Sequence, residues 1–166
     1  MQEWEDMVGN SSIRLKTAYG KDSQEIDFYN RVVNGDDGSK QFRFTKYFET
    51  KTQLFVTVTL IGYFHQRKSD LTKNDVFIRA QGVKEQTELS SVMKMIFLET
   101  AKLEENKGKK ESEIWNDFLR YGDGGVEILL EDYERNNWKL DLGKVYQDLI
   151  PKIDEFVEQI IPTNEE

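Results

Sequence analysis

Thr50-Lys-Thr-Gln-Leu-Phe-Val-Thr-Val-Thr-Leu-Ile-Gly-Tyr-Phe-His65 is the stretch whose reading decides the fold. Its centre, Phe55-Val-Thr-Val-Thr-Leu-Ile61, is rich in β-branched residues and by propensity reads as a strand. Two features oppose that. Thr50-Lys-Thr-Gln53 fits a capping box, in which hydroxyl and amide side chains each satisfy a backbone N–H at a helix start. Leu54, Val58, Ile61 and His65 then follow i, i+4, i+7, i+11, a single helical stripe. The run from the cap to Lys68 is also long for a strand. We read 50–68 as a buried helix, with a strand over 54–61 as the alternative.

The rest of the chain agrees with a helical reading. Residues 24–34 place Ile26, Tyr29, Val32 and Val33 at helical spacing, with Ser23 as a potential N-cap. Residues 85–105 put Leu89, Val92, Met93, Ile96, Phe97 and Thr100 on one face. Ile114, Trp115, Phe118 and Tyr121 predict a helix over 112–121 that Gly122 stops. Asp123 would cap a further helix holding Val126, Leu129, Leu130 and Tyr133. From Leu142 to Ile160 runs a last amphipathic stripe that Pro151 is expected to kink or split. Besides 54–61, only Val76-Phe-Ile78 reads as a strand. The expected fold is a mainly α single domain over 1–166, with five to seven helices and little or no sheet. Residues 1–22 are expected to be poorly ordered, and 162–166 to form a tail.

Composition excludes several chemistries. The chain has no cysteine, so disulfides, thiolate metal sites and cysteine nucleophiles are out. One histidine rules out HExxH zinc sites and the facial triad. Met1-Gln-Glu-Trp-Glu-Asp6 is unlike a secretory signal, and the longest apolar-rich run, Leu54 to Phe64, is too short to cross a bilayer. We therefore expect a cytoplasmic protein without membrane contact.

Charge is distributed unevenly. Residues 40–84 hold 9 basic and 3 acidic side chains, whereas 111–166 hold 5 and 15. Aromatics (Phe42, Phe44, Tyr47, Phe48) interleave the basic segment, a mixture that nucleic-acid surfaces use. Surface ion pairs contribute only about 0–1 kcal/mol each, so stability does not require the two charged regions to meet. The expectation is separate faces, with Arg67, Lys68, Lys73 and Arg79 forming a basic partner-binding patch. Its occupant would be an acidic protein or a nucleic-acid backbone.

No catalytic residue, metal site or cofactor is expected. His65 lacks a second histidine or cysteine to work with and reads as structural or surface. Adjacent carboxylates such as Glu131-Asp132 point about 100° apart on a helix and read as a solvated face. Gly122-Asp-Gly-Gly125 could expose amides to an anion at a helix start. It is neither a P-loop nor a GxGxxG, and it reads better as a helix–helix junction with close backbone packing.

The order of segments carries a resemblance. Phe48-Glu-Thr-Lys-Thr-Gln-Leu-Phe-Val56 is followed by Leu60-Ile-Gly-Tyr63 and Val76-Phe-Ile-Arg79. Val92-Met-Lys-Met-Ile-Phe-Leu98 comes next, and the series closes with Phe118-Leu-Arg-Tyr-Gly-Asp-Gly-Gly-Val-Glu-Ile-Leu129. The series resembles small accessory proteins encoded beside bacterial phosphorothioate-DNA (Dnd) defence systems. Their F-x-x-Y-x-x-G-G-L-E-I-L signature is matched except that Val126 stands for Leu. The likeness spans residues 44–130, and the acidic tail after Trp138 goes beyond it. It implies an accessory or adaptor protein in a DNA-directed defence assembly, and it carries no catalytic residues.

The functional expectation is accordingly a non-enzymatic adaptor with a protein partner, contacting nucleic acid directly through 40–84 or through that partner. One rival is an acidic DNA mimic inhibiting a nucleic-acid-binding enzyme, with carboxylates such as Glu127, Glu131 and Glu134 imitating phosphates. A second rival is an enzyme that works through carboxylates and a divalent metal.

Overall fold

A computed structural model describes residues 13–16, 28–35, 45–70, 74–78, 82 and 86–160. Four α-helices dominate it: α1 (Lys51–Phe64), α2 (Thr87–Lys102), α3 (Glu111–Arg135) and α4 (Leu142–Ile160). A π-helical turn, Asn30–Asn34, makes the fifth helical segment, and Glu104–Asn106 is a short 3-10 turn. Strands β1 (Ile13–Lys16) and β2 (Asn74–Ile78) form one antiparallel ribbon that aligns Arg14 with Val76 and Lys16 with Asn74. The fold is mainly α. The strand read at Val76–Ile78 is present, and its partner β1 arises within residues expected to be poorly ordered.

The decisive stretch is a helix. Gln53 donates its backbone N–H to the Thr50 hydroxyl at 3.1 Å, and the Gln53 side-chain oxygen accepts from the Thr50 amide at 3.2 Å. Every residue from Leu54 to Gly62 is buried. Such burial on all sides overrides β-propensity, because tertiary packing outweighs intrinsic preferences of under about 1 kcal/mol per residue. The threonine hydroxyl that would otherwise be stranded is satisfied within the helix, Thr59 donating to the Phe55 carbonyl at 2.7 Å. The helix ends at Phe64, short of Lys68, and Gln66 reverses the chain at φ 52°.

The expected helix stop at Gly122 is absent. Residues 111–135 form one continuous helix, with Gly122, Gly124 and Gly125 in its buried interior. Gly124 and Gly125 admit the close approach of another backbone, that of α1 and of the loop after it. A methyl group at Gly125 would fall far inside van der Waals contact of the Val58 carbonyl, and one at Gly62 would do the same to the Tyr121 carbonyl. A methyl at Gly124 would strike the Arg67 carbonyl. So α1 and α3 cross backbone on backbone, and the close packing read from the Gly-Gly pair is correct while the junction is not. Phe55 and Phe118 meet edge to face beside the crossing, 5.7 Å apart.

Of the kink or split expected at Pro151, the split is absent, and α4 runs through it. The proline sits on the exposed side, while Leu149 and Phe156 on either side of it are buried. Phe156 reaches the rings of Tyr63 and Phe64 at the end of α1. In α2, Met93, Ile96, Phe97 and Thr100 are buried as the stripe predicts. Val32 and Val33 of the π-helical turn enter the same core, and buried Arg31 stacks on the Trp138 ring at 4.6 Å. Residues 24–27, most of 1–22 and the tail 162–166 lie outside the described residues.

Candidate functional site

Two features stand out around the end of α1. The first is an ionic seam. The loop 65–70 is strapped to α3 by backbone, with the Ser69 N–H donating to the Arg120 carbonyl at 3.1 Å and the Arg120 Nε returning a bond to the Ser69 carbonyl at 3.0 Å. This strap places Arg67 against Glu127 (3.2 Å) and Glu131 (3.0 Å), and it lets the Ser69 hydroxyl donate to Glu127. Lys68 pairs with Glu105 and lies 3.6 Å from Asp117, with its ammonium over the Tyr121 ring at 4.8 Å.

Asp117 is the hub. Its side chain is 8% exposed and takes Lys109 at 3.0 Å and Arg120 at 3.1 Å in addition to Lys68. Burial alone would raise its carboxyl pKa, but the hydrogen bond from Lys109 and the surrounding cations outweigh burial and hold it below the usual value. Burial first, then Glu105 and Asp117, pushes the Tyr121 phenol up to about 12.

The expectation of separate charged faces fails at Arg67 and Lys68. Both meet carboxylates, because the strap lays the basic loop over the acidic face of α3. Lys73 and Arg79 lie outside the described residues. Two of the three carboxylates considered for DNA mimicry, Glu127 and Glu131, are engaged with Arg67, whereas Glu134 is exposed.

The second feature is a groove of about 200 Å³ where α1, α3 and α4 meet. Ile61, Ile128, Leu129, Val145 and Leu149 give it an aliphatic floor. His65, Glu131, Asp132, Arg135, Lys144 and Asp148 form its polar edge. The short connection Asn136–Asp141 turns the chain back, and Asp141 caps α4 by accepting the Lys144 N–H at 3.0 Å. Burial lowers the His65 pKa, Lys152 lowers it further, and Asp148 opposes both.

Sequence reading did not find this groove. Arg135 and Lys144 sit in segments that look like ordinary solvated faces. The signal available was the pair of stripes at 126–133 and 142–149, joined by a connection short enough to make them antiparallel neighbours.

Large apolar side chains also remain on the surface: Trp138 is 39% exposed, Tyr146 41% and Ile150 54%. Among the described residues no three His, Asp or Glu side chains are grouped to hold a metal ion, and no helix is long and apolar enough to cross a membrane. Comparison with protein families, with curated proteins and with solved structures finds no match.

Proposed function

We propose that the chain is a cytoplasmic, non-enzymatic adaptor that docks a protein partner on the outer flank of α4. The observation that carries this reading is the pair Tyr146 and Ile150. They lie one turn apart, 41% and 54% exposed, on a chain that is otherwise 33% charged. Interfaces are enriched in aromatic residues such as Tyr146, and each apolar anchor fully buried by a partner contributes about 1.5–3 kcal/mol. The DNA-directed setting draws on the resemblance over 44–130. In this fold Tyr121 and Gly125 of the matching stretch meet the α1 backbone at the crossing, with Phe118 packed beside it and Val126 buried, so the likeness speaks to a shared scaffold. The mimic reading is weakened by the engagement of Glu127 and Glu131 with Arg67.

The test is a binding titration of the purified chain against each protein encoded beside it. The expected result is a defined complex that Tyr146→Asp and Ile150→Asp each weaken at least roughly tenfold, with circular dichroism unchanged. Equal binding by both variants, or no complex with any neighbour, overturns the proposal. A complex lost instead on Glu134→Gln would favour the mimic.

A further inference from the structure

The groove between α1, α3 and α4 is concave, apolar below and charged above, and its charges are sorted along its length. Phe156 lies beside Tyr63, which in turn packs on Tyr121, whereas Val145 and Leu149 share the groove with Ile128 and Arg135. So α4 runs antiparallel to α3. Arg135 and Lys144 then stand together at the end near the connecting loop. Asp132 and Asp148 form the next layer, one helical turn of about 5.4 Å further in. None of these four side chains closes an ion pair with another described residue, in contrast to the ionic seam, where every charge on the strap has a partner.

We infer that this groove binds a small aliphatic zwitterion, an α-amino acid of leucine's kind. Its carboxylate would sit between Arg135 and Lys144, and its ammonium on Asp132 and Asp148. Its branched side chain would lie on Ile61, Ile128 and Leu149. The volume suits a small ligand: an engineered cavity of about 150 Å³ holds benzene, and ordinary drug-sized ligands need roughly 300 Å³ or more. A site of about 200 Å³ takes a molecule between those limits. The purely aliphatic floor favours a branched chain over an aromatic ring. Both signs at the edge select a ligand carrying both, because a singly charged analogue leaves two like charges facing each other without an answer. This inference does not depend on the adaptor reading, since the groove and the Tyr146–Ile150 flank lie on different sides of α4.

The test is a methyl NMR titration of the full chain with L-leucine, alongside N-acetyl-leucine, which lacks the ammonium, and leucinamide, which lacks the carboxylate. L-Leucine is expected to shift the methyls of Ile61, Val145 and Leu149 saturably, with half-saturation below about 1 mM. Both analogues should bind at least roughly tenfold more weakly. Arg135→Gln and Asp132→Asn should each weaken leucine to a similar extent while leaving the amide spectrum folded. Unshifted methyls at about 10 mM leucine would overturn the site. So would equal binding by the analogues, which would mark a merely apolar groove, or undiminished binding by both variants.

Discussion

Asp117 gathers Lys68, Lys109 and Arg120 around one nearly buried carboxylate. Replacing it with Asn keeps the volume but takes the counter-charge from Lys109 and leaves Lys68 and Arg120 with only the outer carboxylates Glu105 and Asp70. Asp117→Asn is expected to cost about 1–3 kcal/mol in urea unfolding. Because the folded pKa lies below the ordinary value of about 3.9, the unfolded chain takes up this proton first as pH falls. The stabilisation is complete above that value and is lost as pH drops through the folded pKa. The acid slope of the unfolding midpoint should therefore be shallower in Asp117→Asn than in the native chain. An unchanged slope would remove Asp117 from its place at the hub. His65 tests a second local field. Burial lowers it most and Lys152 comes next, so Lys152→Gln should move its imidazole titration part of the way back toward about 6.5 in an NMR experiment. A titration that stays put would mean that Lys152 does not act on the ring.

At the scale of elements, local signals were legible where they are satisfied locally. The Thr50–Gln53 capping box and the stripe of α2 survive because caps and periodicity are written within a few residues, whereas the α1 stripe is lost in burial on every side and its last member, His65, falls beyond the helix. The role of Gly124 and Gly125 could not be read the same way. A glycine that ends a helix and one that admits another backbone look alike until the second helix is placed. Interior glycine costs about 1 kcal/mol relative to alanine by propensity, so Ala would be favoured there if space allowed. Space does not allow it at the crossing. Gly125→Ala and Gly62→Ala should each destabilise the fold by at least about 3 kcal/mol or prevent folding, by overpacking against backbone that cannot yield. Pro151 poses the opposite case. It interrupts a helix that continues regardless, on its exposed side, so Pro151→Ala should raise stability by about 1–3 kcal/mol. A stabilised Gly125→Ala, or a destabilised Pro151→Ala, would show that the helix register differs from the one described.

Across the whole molecule, the basic middle and the acidic last third are not two independent poles. The strap from Gln66 to Asp70 carries Arg67 and Lys68 across α3 to carboxylates far along the sequence, and no count of charges along the chain could have shown that meeting. The regional sums were legible, but the pairing depends on the glycine crossing, which sets where the strap lands. The seam still contributes modestly to stability, because the Arg67 side chain is 42% exposed and Glu131 52%. Exposed pairs of this kind contribute about 0–1 kcal/mol. Arg67→Gln should therefore cost less than about 1 kcal/mol, and raising sodium chloride should shrink even that. Reversal is a different matter. Arg67→Glu sets a third carboxylate beside Glu127 and Glu131, so its cost in urea unfolding should exceed that of Arg67→Gln and fall as salt screens the repulsion. Adding Glu131→Arg to Arg67→Glu restores opposite signs and should recover most of the difference. If Arg67 instead served an anionic partner and not the seam, the reversal would leave stability untouched, and the second substitution would rescue nothing.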